Sequence, residues 1–86
     1  MTKEEVILLE DVLQKFDSKI YYDMKNYNQF TIDFIENHIQ DFDDAECNDK
    51  DYIDGLIYEI DNVLNIIKDG KDKDLFTELK QEIEKL

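Results

Sequence analysis

The chain contains no proline, no tryptophan and no arginine, and it has only two glycines, one cysteine and one histidine. Each shortage excludes something. Several short strands joined by tight turns need more proline and glycine than this, so an all-β or mixed architecture is disfavoured and an all-α fold is expected. A single cysteine, Cys47, forms no internal disulfide and no cysteine-based metal site, which fits a reduced, cytoplasmic setting. All ten basic residues are lysine. Arginine is the usual reader of phosphates and guanine edges, and a nucleic-acid binder needs a basic footprint. Direct binding to DNA, RNA or an anionic membrane is therefore not expected. No apolar run approaches the roughly 20 residues that span a bilayer. The start, "MTKEEVILLED", lacks the basic region of a signal peptide.

What is present is acid and apolar periodicity. Twenty-three acids against ten bases give a net charge of −13, and 42% of the 86 residues are apolar. That length corresponds to one domain, and five Phe and five Tyr argue against disorder. Thr2 and Glu5 form the T-x-x-E pattern of a capping box. Val6, Leu9, Leu13 and Phe16 follow at helical spacing, with Leu8 and Val12 widening the stripe, which predicts a helix over 3–16. Ile20, Met24 and Tyr27 predict a second, short helix over about 18–26, although the adjacent Tyr21 and Tyr22 also suit a strand. Thr31 is placed as the N-cap of the next helix, stapled by Phe30 and Ile35. Its stripe is Ile32, Ile35, Ile39 and Phe42, with Phe34 and His38 beside it. Residues 43–48, "DDAECN", read as a loop.

Asn48 can cap the strongest helix, expected over 49–68, whose seam is Ile53, Leu56, Ile57, Ile60, Val63, Leu64 and Ile67. Gly55 inside that helix costs about 1 kcal/mol relative to alanine, which a close interhelix contact would explain. Gly70 fits the left-handed residue that ends the helix, and Lys68 suits the negative end of its dipole. Asp72 is the expected cap of the last helix, with Leu75, Leu79, Ile83 and Leu86 as its stripe and Phe76 beside them. The expectation is a compact antiparallel bundle of four to five short helices over 1–86.

No catalytic constellation emerges, and no enzyme activity is assigned. Cys47 and His38 are nine residues apart, and Cys47 lies among Asp43, Asp44, Glu46 and Asp49, which raise rather than lower a thiol's pKa. His38 reads as a helix-flank histidine. Glu59 and Asp61 flank Ile60 and point to opposite sides of a helix. An EF-hand starting at Asp41 fails because Ala45, Glu46 and Tyr52 stand where a ligand, a glycine and a glutamate are required; one starting at Asp69 meets lysine at two ligand positions. No metal and no cofactor is expected.

The charge is not evenly spread. Residues 1–40 are net −4 and residues 63–86 net −1, whereas residues 41–62 hold nine acids and only Lys50, net −8. The two end helices mix their signs, as ordinary solvated faces do. In the middle, Asp43, Asp44 and Glu46 come from the loop, and Asp54, Tyr58 and Asp61 recur at four- and three-residue steps on one helix face. Tyrosine beside carboxylates supplies rigid contact area at low entropic cost, and Tyr21, Tyr22 and Tyr27 lie in a segment too polar to bury them all. The expected docking surface for a basic protein is Asp43, Asp44, Glu46, Asp49, Asp51, Asp54, Tyr58 and Asp61. Size and charge resemble, as a type only, small acidic inhibitors of nucleases and other nucleic-acid-binding proteins: toxin immunity proteins and phage DNA mimics, anti-CRISPR proteins among them. No motif of such a family maps onto these residues. The alternative expectation is a helical adaptor or regulatory subunit that binds through an apolar helix face, with little dependence on salt.

Overall fold

The computed structural model describes residues 2–43 and 50–86, with the backbone alone at 41–43 and at 50. Four α-helices account for almost all of it: α1 (Lys3–Tyr22), α2 (Gln29–Asp43), α3 (Lys50–Ile66) and α4 (Lys71–Glu84), with a single 3₁₀ turn at Met24–Asn26. No strand occurs among the described residues. Helix α1 packs against α2 and α4, and α3 packs against α4, while α2 and α3 approach each other less closely. Contacts at 15–82 and 19–78 run α1 antiparallel to α4, and α4 follows α3 after only residues 67–70, with a contact at 61–80 between them.

The capping box at Thr2 starts α1. The Glu5 N–H donates to Thr2 Oγ1 at 3.2 Å, and the threonine hydroxyl donates to the Glu5 carboxylate at 3.1 Å. The helix then runs unbroken to Tyr22 instead of stopping at Phe16 and restarting at Ser18. Ile20 continues the stripe of Leu9, Leu13 and Phe16, and all four are buried. One apolar stripe buried along its whole length outweighs the weak breaking tendency of Asp17 and Ser18. The helix ends where the Asp23 N–H turns back to the Ile20 carbonyl, and the 3₁₀ turn follows. Tyr21 and Tyr22 are helical, not extended, and both rings stand in solvent.

Thr31 does not cap α2. The helix begins two residues earlier, with the Asn28 carbonyl accepting from the N–H groups of Thr31 and Ile32. Phe30 is consequently inside the first turn and 58% exposed, so it makes no staple with the fully buried Ile35. Thr31 is itself fully buried, and its hydroxyl donates to Asp72 Oδ1 at 2.6 Å. Asp72, for its part, does not cap its own helix. It occupies the second position of α4 and reaches across to α2, where the same oxygen also accepts the Asn28 N–H at 3.0 Å. One carboxylate thus ties the start of α4 to the start of α2.

Gly70 is likewise displaced from its expected role. Helix α3 ends at Ile66, and Gly70, with φ 117° and ψ −174°, is the N-cap of α4. That backbone region is essentially restricted to glycine. Gly55 has no atom within 4 Å of where a Cβ would stand, so no close helix approach explains it. The proposed cap Asn48 lies outside the described residues.

The core joins the four stripes: Leu9, Leu13, Phe16 and Ile20 from α1, Ile32 and Ile35 from α2, Leu56, Ile60 and Val63 from α3, and Leu75, Phe76, Leu79 and Ile83 from α4. Phe16 and Phe76 are fully buried, and Phe34 meets Phe76 edge to face at 5.1 Å. Among the described residues no buried side-chain polar atom lacks a hydrogen-bond partner. No described helix is long and apolar enough to cross a membrane.

Candidate protein-docking interface

The bundle separates its charges by helix. Residues 29–66, comprising α2, α3 and the chain between them, carry eleven acids and a single base, Lys50, for a net −10. The remaining residues carry twelve acids and nine lysines, net −3. Several of the described ion pairs lie within the mixed-charge part, while Lys80 of α4 crosses to Asp61 of α3. Lys15 meets Glu82 at 3.8 Å and Lys19 meets Glu78 at 2.8 Å along the α1–α4 seam, and Lys71 pairs with Asp23 at its end. Lys19 holds the Glu78 carboxyl below its ordinary range, and Lys71, with Asn26, does the same for Asp23. The Lys15 and Lys19 ammonium groups also lie over the Phe16 ring, with Nζ 5.8 and 4.9 Å from its centre.

Helix α2 contains no lysine, and α3 contains Lys50 only. On α2, Asp33 accepts a hydrogen bond from Gln29 Nε2 at 2.9 Å, and Glu36 is exposed. On α3, Glu59 and Asp61 diverge across the helix as the sequence spacing requires. Glu59 approaches His38 Nε2 at 3.1 Å on α2, and Asp61 reaches Lys80 Nζ at 2.6 Å on α4. A carboxylate only accepts, so His38 Nε2 carries the hydrogen toward Glu59. In the neutral ring Nδ1 then accepts from the Tyr52 hydroxyl, 2.8 Å away. Asp61, hydrogen-bonded to Lys80, raises that ammonium's pKa.

The residues expected to form a docking surface are distributed as follows. Asp43 is the last residue of α2, and Asp44, Glu46 and Asp49 lie outside the described residues. Asp51 and Asp54 are exposed on the first turns of α3, and Tyr58 is exposed one turn further on. Asp61 leans away from that line toward α4 and shares its charge with Lys80. Tyr21 and Tyr22 belong to the other end of the bundle from Asp51 and Asp54: they close α1, next to the starts of α2 and α4, whereas Asp51 and Asp54 lie at the start of α3.

Two features of this side go beyond the residues picked out by charge. Asp33 and Glu36 extend the acidic surface along α2, upstream of residue 41 where the charge window begins. A shallow apolar trough also opens where α2 and α3 diverge. One part, about 280 Å³, is lined by Asn28, Phe30, Thr31, Val63, Ile66 and Ile67. The adjoining part, about 360 Å³, adds Phe34, Glu59 and Asn62. Phe30 and Ile66 on its walls are 58% and 79% exposed. The trough's signal in the sequence is the pairing of Phe30 with Phe34, four apart beside the buried stripe, and the doubling of Ile66 with Ile67.

Among the described residues no group of three or more His, Cys, Asp or Glu is placed to hold a metal ion. No protein-family model matches the chain, and neither curated proteins nor solved structures yield a match.

Proposed function

We propose that this protein is a non-enzymatic acidic inhibitor that docks on a basic protein, of the nuclease, toxin or other nucleic-acid-binding type, and blocks its active or nucleic-acid-binding cleft. The observation that carries the reading is the concentration of net −10 on α2, α3 and their connection, with all but one of the lysines elsewhere. Self-repulsion of that kind opposes a compact fold. A cationic partner offsets it and gains electrostatic steering, with association up to ~10⁸ M⁻¹s⁻¹ at low salt. The strongly basic surfaces of a cell are those that hold nucleic acid, and an array of carboxylates on a rigid bundle presents to them what phosphates present. Toxin immunity proteins and phage DNA mimics of the anti-CRISPR kind are the types this reading resembles, and the cytoplasm is where such a partner would be met.

Affinity capture on the immobilised chain tests the reading. A basic protein should bind at low salt, elute at roughly 0.5 M salt, where screening shortens to a few ångströms, and be displaced by duplex DNA. A partner that stays bound at high salt and ignores DNA sinks it. That outcome would favour a second reading, an adaptor that binds through an apolar helix face, for which the trough between α2 and α3 is the supporting observation.

A further inference from the structure

We infer that the trough between α2 and α3 receives an amphipathic basic helix of the partner, its apolar face seated on Phe30, Phe34, Val63 and Ile66 and its cationic flank against Glu59 and Asp33. The inference rests on the acidic-docking reading and adds to it the shape of what is bound. Its geometric basis is the open seam: α1 packs on α2 and α4, and α3 on α4, but α2 and α3 part and leave apolar walls exposed. From Glu59 to Ile67 the trough follows about 12 Å of helix axis, which matches roughly two turns of a partner helix and its i, i+3/i+4 and i+7 anchors. At one end the contacts of His38 with Tyr52 and Glu59 link the two walls.

Charge selects the occupant. No lysine lines the trough: α2 has none, Lys50 lies at the start of α3, far along the helix from Val63, and Lys68, exposed, only follows the last lining residue, Ile67. Glu59 lines the trough, and Asp33 stands one turn from Phe30 on α2. A second copy of the chain carries the same net charge of −13 and is disfavoured by repulsion. An acidic or neutral helix would add no cation to Glu59 and Asp33, whose described contacts are His38 Nε2 and Gln29 Nε2. A lysine- or arginine-bearing helix fills the apolar floor and neutralises the rim together.

The test uses the full chain, labelled for NMR, and three probes. The first is a leucine–lysine amphipathic peptide about 14 residues long, four helical turns; the second is a leucine–glutamate peptide of the same pattern; the third is oligolysine, which has no apolar face. The leucine–lysine peptide should shift the resonances of Phe30, Phe34, Val63 and Ile66, and Ile66→Ser or Phe30→Ser should weaken it about tenfold or more, since each removes most of one anchoring side chain. Both residues are largely exposed, so neither change empties the core, and unchanged thermal melts would verify that. Oligolysine should bind more weakly and leave Val63 and Ile66 unmoved, and the leucine–glutamate peptide should not bind. If the leucine–lysine peptide instead moves only the exposed acids of α3 and tolerates Ile66→Ser, the trough is overturned while acidic docking stands. Absence of binding by either cationic probe removes both. Equal seating of the leucine–glutamate peptide, or a concentration-dependent dimer abolished by Ile66→Ser, also overturns the inference, because charge would then not choose the occupant.

Discussion

Thr31 and Asp72 offer a sharp test of how the bundle is held, because the buried Thr31 hydroxyl and the Asn28 N–H both depend on one carboxylate, forty-one residues on from Thr31. Thr31→Val removes the hydroxyl without changing the side chain's shape. The lost bond is to a charged acceptor, but Asp72 is only partly buried and can turn to water, so the cost should be about 1.5 kcal/mol. Asp72→Ala is worse. It strands the fully buried Thr31 hydroxyl, which costs about 1–3 kcal/mol, and strips the Asn28 N–H of its partner, about 1 kcal/mol more, as for a lost N-cap. A total of about 3 kcal/mol is expected. In the double mutant the stranded hydroxyl is absent, so the loss should be no greater than for Asp72→Ala alone, giving a coupling of about 1.5 kcal/mol. A domain of this size has about 4–13 kcal/mol in hand, roughly 0.05–0.15 per residue. Asp72→Ala should therefore lower Tm by about 12–24 °C, at ~4–8 °C per kcal/mol. Urea unfolding followed by circular dichroism at three or more temperatures supplies all four corners of the cycle. Additive costs, or an Asp72→Ala effect under about 0.5 kcal/mol, would refute the tie between the starts of α2 and α4.

Gly55→Ala should stabilise by about 0.5–1 kcal/mol in urea melts, since the site is helical and open; a loss of stability would mean the space is filled. Gly70→Ala should cost about 1–3 kcal/mol through backbone strain alone, because nothing crowds its Cβ position, and an effect near zero would contradict its φ of 117°. Glu78, held by Lys19 below its ordinary 4.5, contributes stability that is full above that value and lost as pH falls through the lower folded value. Lys19→Met should accordingly flatten the acid limb of urea midpoint against pH, and superimposable limbs would show that the pair contributes nothing.

Much of the bundle was legible in the sequence, and the departures share a cause. The stripes of α3 and α4 and the Thr2 cap come from local periodicity and local hydrogen bonding, which the chain displays directly. The break expected at Phe16 and the caps expected at Thr31 and Asp72 failed because their outcome is tertiary. Ile20 keeps α1 going because it is buried against other helices, and Thr31 and Asp72 satisfy each other across 41 residues instead of serving their own helices. The acidic concentration was visible as a run in the sequence, but the fold redraws its outline. Asp61 is shared with Lys80, Asp33 and Glu36 join from α2, and the tyrosines at the end of α1 fall at the opposite end of the bundle from Asp51 and Asp54. The trough could not be read from periodicity, since a helix stripe does not reveal which of its edges a neighbour leaves uncovered.

The most direct test of acidic docking is the salt dependence of binding to the captured basic partner, measured for the parent chain and for a variant carrying Asp43→Asn, Asp44→Asn, Asp51→Asn and Asp54→Asn. The parent's affinity should fall steeply as salt rises, and the variant should bind more weakly at low salt with a shallower slope of log K against log salt. Equal affinities and equal slopes for the two chains would contradict it.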